Sequence, residues 1–294
     1  MIYLEVDLLK QSLAPLELKR PIGLLDSGVG GLTVVKELIQ QLSNEQLIYF
    51  GDTVHFPYGP RDLREVKGFA IEIAKFLLEQ GVKAIIVACN TASAAGLEEL
   101  KREIAVPIIG VIEPVAQAAV NATKNGRVGI IGTVGTINSN AHKNAIKSCM
   151  PEIEVFGQPC PLFVNLVEEG KVDEKETWEV AEYYLKPLKE AEVDVLILGC
   201  THFPHLRPVI SKVMGDKVTL LDPAEETVKA VARILGKEGR LNYGKKADYD
   251  RYWVTAQPEK FQQVGQKLLN IPLQVKMIKF WPEQRTEKCL EAVD

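Results

Sequence analysis

Residues 84–93 read AIIVACNTAS and residues 195–204 read VLILGCTHFP. Each is a short apolar run that ends in a cysteine and opens into a threonine-bearing polar loop, the pattern of a buried strand meeting the start of a helix. The same alignment pairs PIGLLDSGVGG (21–31) with RVGIIGTVGTI (127–137). Asp26 precedes Cys89 by 63 positions and Thr133 precedes Cys200 by 67, so a polar loop and a cysteine recur at nearly one interval. This repetition predicts an α/β fold of two similar doubly wound parallel-sheet domains, related by a pseudo-twofold axis with their strand ends facing one cleft.

Outward from these motifs, strands are expected at 22–25, 47–50, 84–88, 107–111, 127–131, 193–198 and 218–221. Helical periodicity fills 32–42, 63–79, 94–103, 114–124, 174–191 and 224–235. Beyond residue 245, DYDRYWVTA alternates as a strand, PEKFQQVGQKLLN as a helix, and LQVKMIKFW alternates again, a set that completes the first sheet. Ligands of open parallel sheets sit at the carboxyl ends of strands, where backbone amides and helix N-termini are available. Asp26-Ser27, Asp52, Cys89-Asn90-Thr91, Thr133 and Cys200-Thr201-His202 all follow expected strands.

The bulk properties narrow the partner. With 294 residues, 46% hydrophobic and 25% charged, the chain can bury two modest cores. A formal net charge of -4 and the lack of any Lys/Arg block argue against nucleic acid and anionic membrane, leaving a small molecule. Glu5, Asp7, Lys10 and Glu17 interrupt the first twenty residues, which read as an N-terminal extension and not as a signal peptide. No apolar run reaches the roughly 18 residues of a membrane span. The five cysteines (89, 149, 160, 200 and 289) are widely spaced without C-x-x-C. They indicate neither a disulfide framework nor a zinc site, and place the chain in the reducing cytoplasm.

The repeated cysteines carry the chemistry. A thiol at the start of a helix is polarised toward thiolate. Cys149, Cys160 and Cys289 lack polar motifs and read as ordinary core residues. A symmetric pair suits a nearly mirror-symmetric reaction, in which one base removes an α-proton and an opposed acid returns a proton to the other face. The α-carbon of an amino acid is a weak acid, so fixed donors must stabilise the carbanion. Ser27, Asn90, Thr91, Thr133, Thr136 and Thr201 supply them. Asp26 and Asp52 can orient or deprotonate groups near Cys89, or meet a substrate ammonium; Asp26 and Thr91 also fit helix caps. His202 can serve Cys200, whereas His205 reads as surface or packing and His55 and His142 have no assigned role. Gly28, Gly30 and Gly31 do not complete G-x-G-x-x-G, since Thr33 takes the last glycine's place, and no P-loop occurs. They read as a tight turn that lets backbone approach the substrate.

Together, IGLLDSGVGGLTV, YFGDT, PYG, VACNTAS, IGTVGT, CPLFVNLVEEG and LGCTHFP resemble, in order from about residue 21 to 225, the glutamate racemases of the aspartate/glutamate racemase superfamily. The resemblance implies residues 21–112 plus 225–294 as a first domain on the Cys89 side. Residues 113–224 form an inserted second domain on the Cys200 side, with the site between them, and 1–20 an extension. It implies Cys89 acting on D-glutamate with help from Asp26, and Cys200 on L-glutamate with help from His202. Glu168, beside the competing Glu169, matches a carboxylate near the second cysteine. Asp26-Ser27, Tyr58-Gly59, Asn90-Thr91 and Thr201-His202 match substrate-contacting pairs, with Thr133 and Thr136 as additions. Neither metal nor pyridoxal phosphate is implied, so no cofactor is expected. A homodimer and a supply of D-glutamate for peptidoglycan are implied. An aspartate racemase is the nearest rival, against which Ser93 and His202 favour glutamate; a binding protein without activity is the more distant one.

Overall fold

In the computed structural model, which describes residues 17–246 and 250–286, two parallel-sheet α/β domains are built from runs the sequence makes apolar. Residues 1–16, Asp248 and Tyr249 of the expected strand, and Cys289 with the rest of the tail lie outside the described residues. The first sheet contains β1 (Ile22–Asp26), β2 (Leu47–Gly51), β3 (Ala84–Val87), β4 (Ile108–Gly110), β9 (Arg251–Val254) and β10 (Val275–Met277), in the order β10-β9-β2-β1-β3-β4. The second contains β5 (Arg127–Gly132), β6 (Glu154–Pro159), β7 (Val195–Gly199) and β8 (Thr219–Leu221), in the order β6-β5-β7-β8. Every pairing in both sheets is parallel. The order 2-1-3-4 therefore recurs as 6-5-7-8, which puts Asp26 and Thr133 after equivalent strands and likewise Cys89 and Cys200.

Burial on both faces explains the uninterrupted apolar strands. Ile22 and Leu24 of β1 pack with α1 (Leu32–Gln41) and α10 (Pro223–Lys237). Leu25, with Ile48 and Phe50 of β2, packs on the other face against α2 (Leu63–Glu79) and α3 (Asn90–Glu103). The second sheet divides the same way. Val128, Ile130, Val195 and Ile197 meet α4 (Ile112–Ala122) and α6 (Ala141–Cys149), whereas Ile131, Leu196 and Leu198 meet α7 (Leu162–Glu168), α8 (Lys175–Glu190) and α9 (Arg207–Met214). Among the described residues, α11 (Pro258–Leu269) lies between β9 and β10 and α12 (Pro282–Thr286) follows β10; α5 (Val134–Asn138) is a single turn that follows β5.

Three differences from the expected elements matter. Helix α3 starts at Asn90, one turn before the expected 94, so Cys89 is its N-cap residue. Strand β6 was not anticipated, because it is an edge strand with no fully buried position, interrupted by Gly157 and ended by Pro159. The alternation of LQVKMIKFW yields a strand of only three residues.

At the sheet end opposite the cysteines, Lys83 and Glu45 form a buried ion pair at 2.6 Å. The Lys83 ammonium also donates to the carbonyls of Leu18 and Arg240. A buried charge persists only when paired and hydrogen-bonded, and here those bonds fasten the N-terminal segment and the stretch after α10 to the strand starts.

Candidate active site

Cys89 and Cys200 line one cavity of about 20 Å³, together with Ser27, Tyr58, Gly59, Asn90, Thr91, Thr133, Thr201 and His202. Ten of the residues expected from sequence thus converge, from both sheets, on a space that holds about one water molecule. Phe56, Pro57, Val164 and Gly199 complete the wall. Asp26, Thr136 and Glu168 stand behind it, each bonded to a neighbour of the cavity.

The two thiols have different surroundings. Cys89 is buried at the start of α3. The expectation that the helix end would favour its thiolate is reversed: burial pushes the thiol up to about 12, reinforced by the negative charge of Asp26, and the amides of Ala92 and Thr91 offset only part of this. Cys200 is followed by a short 3₁₀ turn, Phe203–Leu206, in place of an α-helix. Its polar neighbour is His202, whose Nδ1 lies 3.9 Å from the sulfur. The Nε2 of the same ring lies 2.9 Å from Oε1 of Glu168. Although burial opposes the charged imidazolium, Cys200 and Glu168 outweigh it and raise His202 to about 10. Glu168 is held low chiefly by its bond to His202. Glu169 pairs instead with Lys171, at 2.8 Å, on the surface.

Asp26 is wholly buried at the end of β1, where Oδ2 accepts from the amides of Gly28 (3.1 Å) and Gly31 (3.0 Å). Its Oδ1 has no hydrogen-bond partner, and neither does Oδ1 of Asn90. Desolvation raises the Asp26 carboxyl to about 6 against those amides and the His202 charge. Two buried acceptors near Cys89 therefore want donors, a demand a ligand ammonium meets.

Three hydroxyls close the cleft from both sides. Thr91 lies 3.1 Å from Thr133 and 3.2 Å from Thr136, which are 3.0 Å from each other. The amide of Gly135 also donates to the Gly59 carbonyl across the same seam, at 3.1 Å. Glycine is required here for contact between the domains. A Cβ on Gly59 would sit 2.7 Å from Cβ of Thr133, and one on Gly30 would meet the Thr201 hydroxyl and the His202 ring. Gly28 and Gly31 are likewise closed in, by Phe56 and by Asp26 with Tyr49. Within this turn it is Gly30 that brings the first domain against the second.

Asp52 is the expected residue that the structure takes out of the cavity wall. Its Oδ1 accepts from Thr255 (3.1 Å) and the Trp281 indole (2.7 Å), and its Oδ2 from the Tyr58 hydroxyl (2.7 Å), with His55 Nδ1 at 2.8 Å. With these four polar neighbours Asp52 does not line the thiol cavity. The Tyr58 hydroxyl is likewise committed. His55, unassigned from sequence, stacks on Phe69 and reaches Glu283. His142, also unassigned, is buried with both ring nitrogens unpartnered, and burial lowers it to about 4. Cys160 is buried in the core as expected, and Cys149 is exposed. Among the described residues no group of three or more His, Cys, Asp or Glu can hold a metal ion, and no helix is long and apolar enough to cross a membrane.

Sequence comparison matches residues 22–231 to the family described as Asp/Glu/hydantoin racemase. A glutamate racemase of Geobacter metallireducens is 48% identical over 250 residues, covering 85% of this chain and 93% of that protein. The fold is similar to a crystal structure of a glutamate racemase isoform from Bacillus anthracis, with a TM-score of 0.86 and 40% identity over 88% of this chain and 97% of the other. It is also similar to the glutamate racemase of Francisella tularensis in complex with D-glutamate, with a TM-score of 0.84 and 40% identity over 90% and 98% of the two chains.

Proposed function

Since the chain belongs to the Asp/Glu/hydantoin racemase family, we propose that it is an isomerase that interconverts L- and D-glutamate through Cys89 and Cys200 as opposed acid–base groups. The observation that carries the reading is the presence of both thiols on one small cavity, each after the equivalent strand of its own sheet. In the L-to-D direction the Cys200 thiolate takes the α-proton. The electron pair left on the α-carbon spreads into the carboxylate, and the Cys89 thiol delivers its proton to the opposite face. In the other direction the roles exchange, and Asp26, raised to about 6, receives the proton that Cys89 must lose. His202, held by Glu168 and raised to about 10, carries a proton beside Cys200, and its charge stabilises the Cys200 thiolate.

The partnerless Oδ1 atoms of Asp26 and Asn90 suit the ammonium. The hydroxyls of Ser27, Thr91, Thr133 and Thr201, with backbone amides at the strand ends, suit the carboxylates and the charge that develops on them. Thr136 supports this set through Thr91 and Thr133. The chemistry is assigned to side chains alone, with no cofactor. We read 21–112 with 225–294 as one domain and 113–224 as the other, since α4 packs on the second sheet and α10 on the first. A cytoplasmic homodimer that supplies D-glutamate for peptidoglycan completes the proposal.

The test is incubation of each glutamate enantiomer with the protein in heavy water, following the Cα proton by NMR and optical rotation in parallel. Deuterium at Cα from both enantiomers is the expected result. Turnover of aspartate alone would overturn the substrate, and tight binding of glutamate without exchange would make the chain a binding protein.

A further inference from the structure

Beside the thiol cavity lies a second one of about 280 Å³, whose lining includes Gly28, Phe56, Glu168 and Lys260. Lys260 belongs to α11, which connects β9 and β10 of the six-stranded sheet; Glu168 ends α7, which belongs to the four-stranded sheet's domain. Their side chains meet across the cleft, Nζ to Oε2, at 3.4 Å. The other oxygen of the same carboxylate lies 2.9 Å from His202, so the two oxygens of Glu168 are claimed by groups from different domains.

We propose that Lys260 is a positioning residue that fixes the Glu168 carboxylate against His202, so that the acid–base chain serving Cys200 is fully assembled only when the two domains are together. The inference rests on the racemase reading for its consequence in turnover, but not for its geometry. Glu168 is only one-fifth exposed and sits at the last turn of a seven-residue helix, where a carboxylate with one partner can rotate away. A second partner on the opposite oxygen removes that freedom. Lys260 itself is 58% exposed, so its charge is screened and its main effect is orientation rather than field strength. The Cys89 side has a different arrangement: Asp26 is fixed by amides of its own loop, and its geometry does not wait for the other domain.

The groups facing His202 are Cys200 and Glu168, with Asp26 and His205 at longer range and Lys36 near His205. The test compares Lys260→Met and Lys260→Arg with the unaltered protein, first by NMR titration of the His202 imidazole and then by the pH profile of kcat/KM. With Glu168 released, His202 loses its best-placed partner. Its titration in Lys260→Met should fall by roughly half a unit to one unit, and Lys260→Arg should restore it. The alkaline limb of kcat/KM should move down with it, and kcat/KM should drop by roughly two- to fivefold. The drop must be equal in both directions, because enantiomers have an equilibrium constant of one. An upward shift would show that Lys260 acts on His202 only as a like charge, and an unmoved titration that it does nothing; either result overturns the proposal. The NMR comparison does not require turnover, so a protein that failed to racemise glutamate would overturn the functional reading while leaving this inference to be decided.

Discussion

The hydroxyl of Tyr58 donates to Oδ2 of Asp52 at 2.7 Å, which places the carboxylate behind the cavity wall with the tyrosine ring between. Asp52 is fully buried and also receives Thr255 and the Trp281 indole. It ties the end of β2 to the residue after β9 and to Trp281 ahead of α12, and through Tyr58 it sets the shape of the site. Removing a buried, hydrogen-bonded charge strands its donors, at a cost of about 3 kcal/mol or more. Asp52→Ala should therefore unfold at markedly lower urea concentration and show a raised KM through displaced Tyr58. An unchanged denaturation midpoint with turnover abolished would mean that Asp52 is a base after all.

The pair of thiols makes the second prediction. In the proposed mechanism each direction uses one as base and the other as acid, so Cys89→Ala or Cys200→Ala alone should slow racemisation in both directions by ~10³-fold, in the range of a lost general acid or base. Circular dichroism of each glutamate enantiomer over time measures it. Near-normal turnover in either single variant would sink the two-base assignment.

How much of this site was readable in advance follows from the range of each contact. Asp26, Cys89, Thr133, Cys200 and His202 occupy strand-end motifs only a few residues long, and the strand repeat that brings them together is itself written in the apolar runs. Two of the partners of Asp52, Thr255 and Trp281, lie 203 and 229 positions away, in a segment whose pattern says strand or helix but not what it touches. Lys260 is one exposed lysine on an amphipathic helix, with no local signal that Glu168 stands opposite. The reversed shift of Cys89 has the same origin. The helix start was legible, but the depth of burial that outweighs it depends on how closely the two domains approach.

Gly30 tests that approach. A methyl group there runs into the Thr201 hydroxyl and comes within 2.9 Å of the His202 ring, which is held between Cys200 and Glu168 and cannot yield freely. Gly30→Ala should fold, since the residue lies on the domain surface facing the cleft, but should hold the domains slightly apart. The expected result is a thermal midpoint within a few degrees of the unaltered protein and a large loss of kcat. Full activity would show that the contact between Gly30 and His202 is not part of the working state.

Asp26 gives a prediction in which stability and activity move in opposite directions. Its carboxyl is raised from 3.8 to about 6 in the folded protein, chiefly by burial. A raised carboxyl binds its proton more tightly when folded, so its contribution to stability is complete below about pH 4 and is lost as pH rises through 6. Above that, the buried carboxylate costs on the order of 3 kcal/mol. Asp26→Asn keeps an oxygen for the Gly28 and Gly31 amides and removes the charge. Its new NH₂ brings a cost of its own, but one that does not vary with pH. The difference in unfolding free energy between Asp26→Asn and the unaltered protein should therefore shift in favour of the variant as pH rises from 4 to 8, with most of the change falling between about pH 4 and 6. Racemisation by the variant should be severely reduced at every pH, since the group proposed to relieve Cys89 of its proton is gone. Urea denaturation of both proteins across that range gives the answer, and a difference that stays constant from pH 4 to 8 would mean that Asp26 is ionised in the fold at low pH and is no proton acceptor for Cys89.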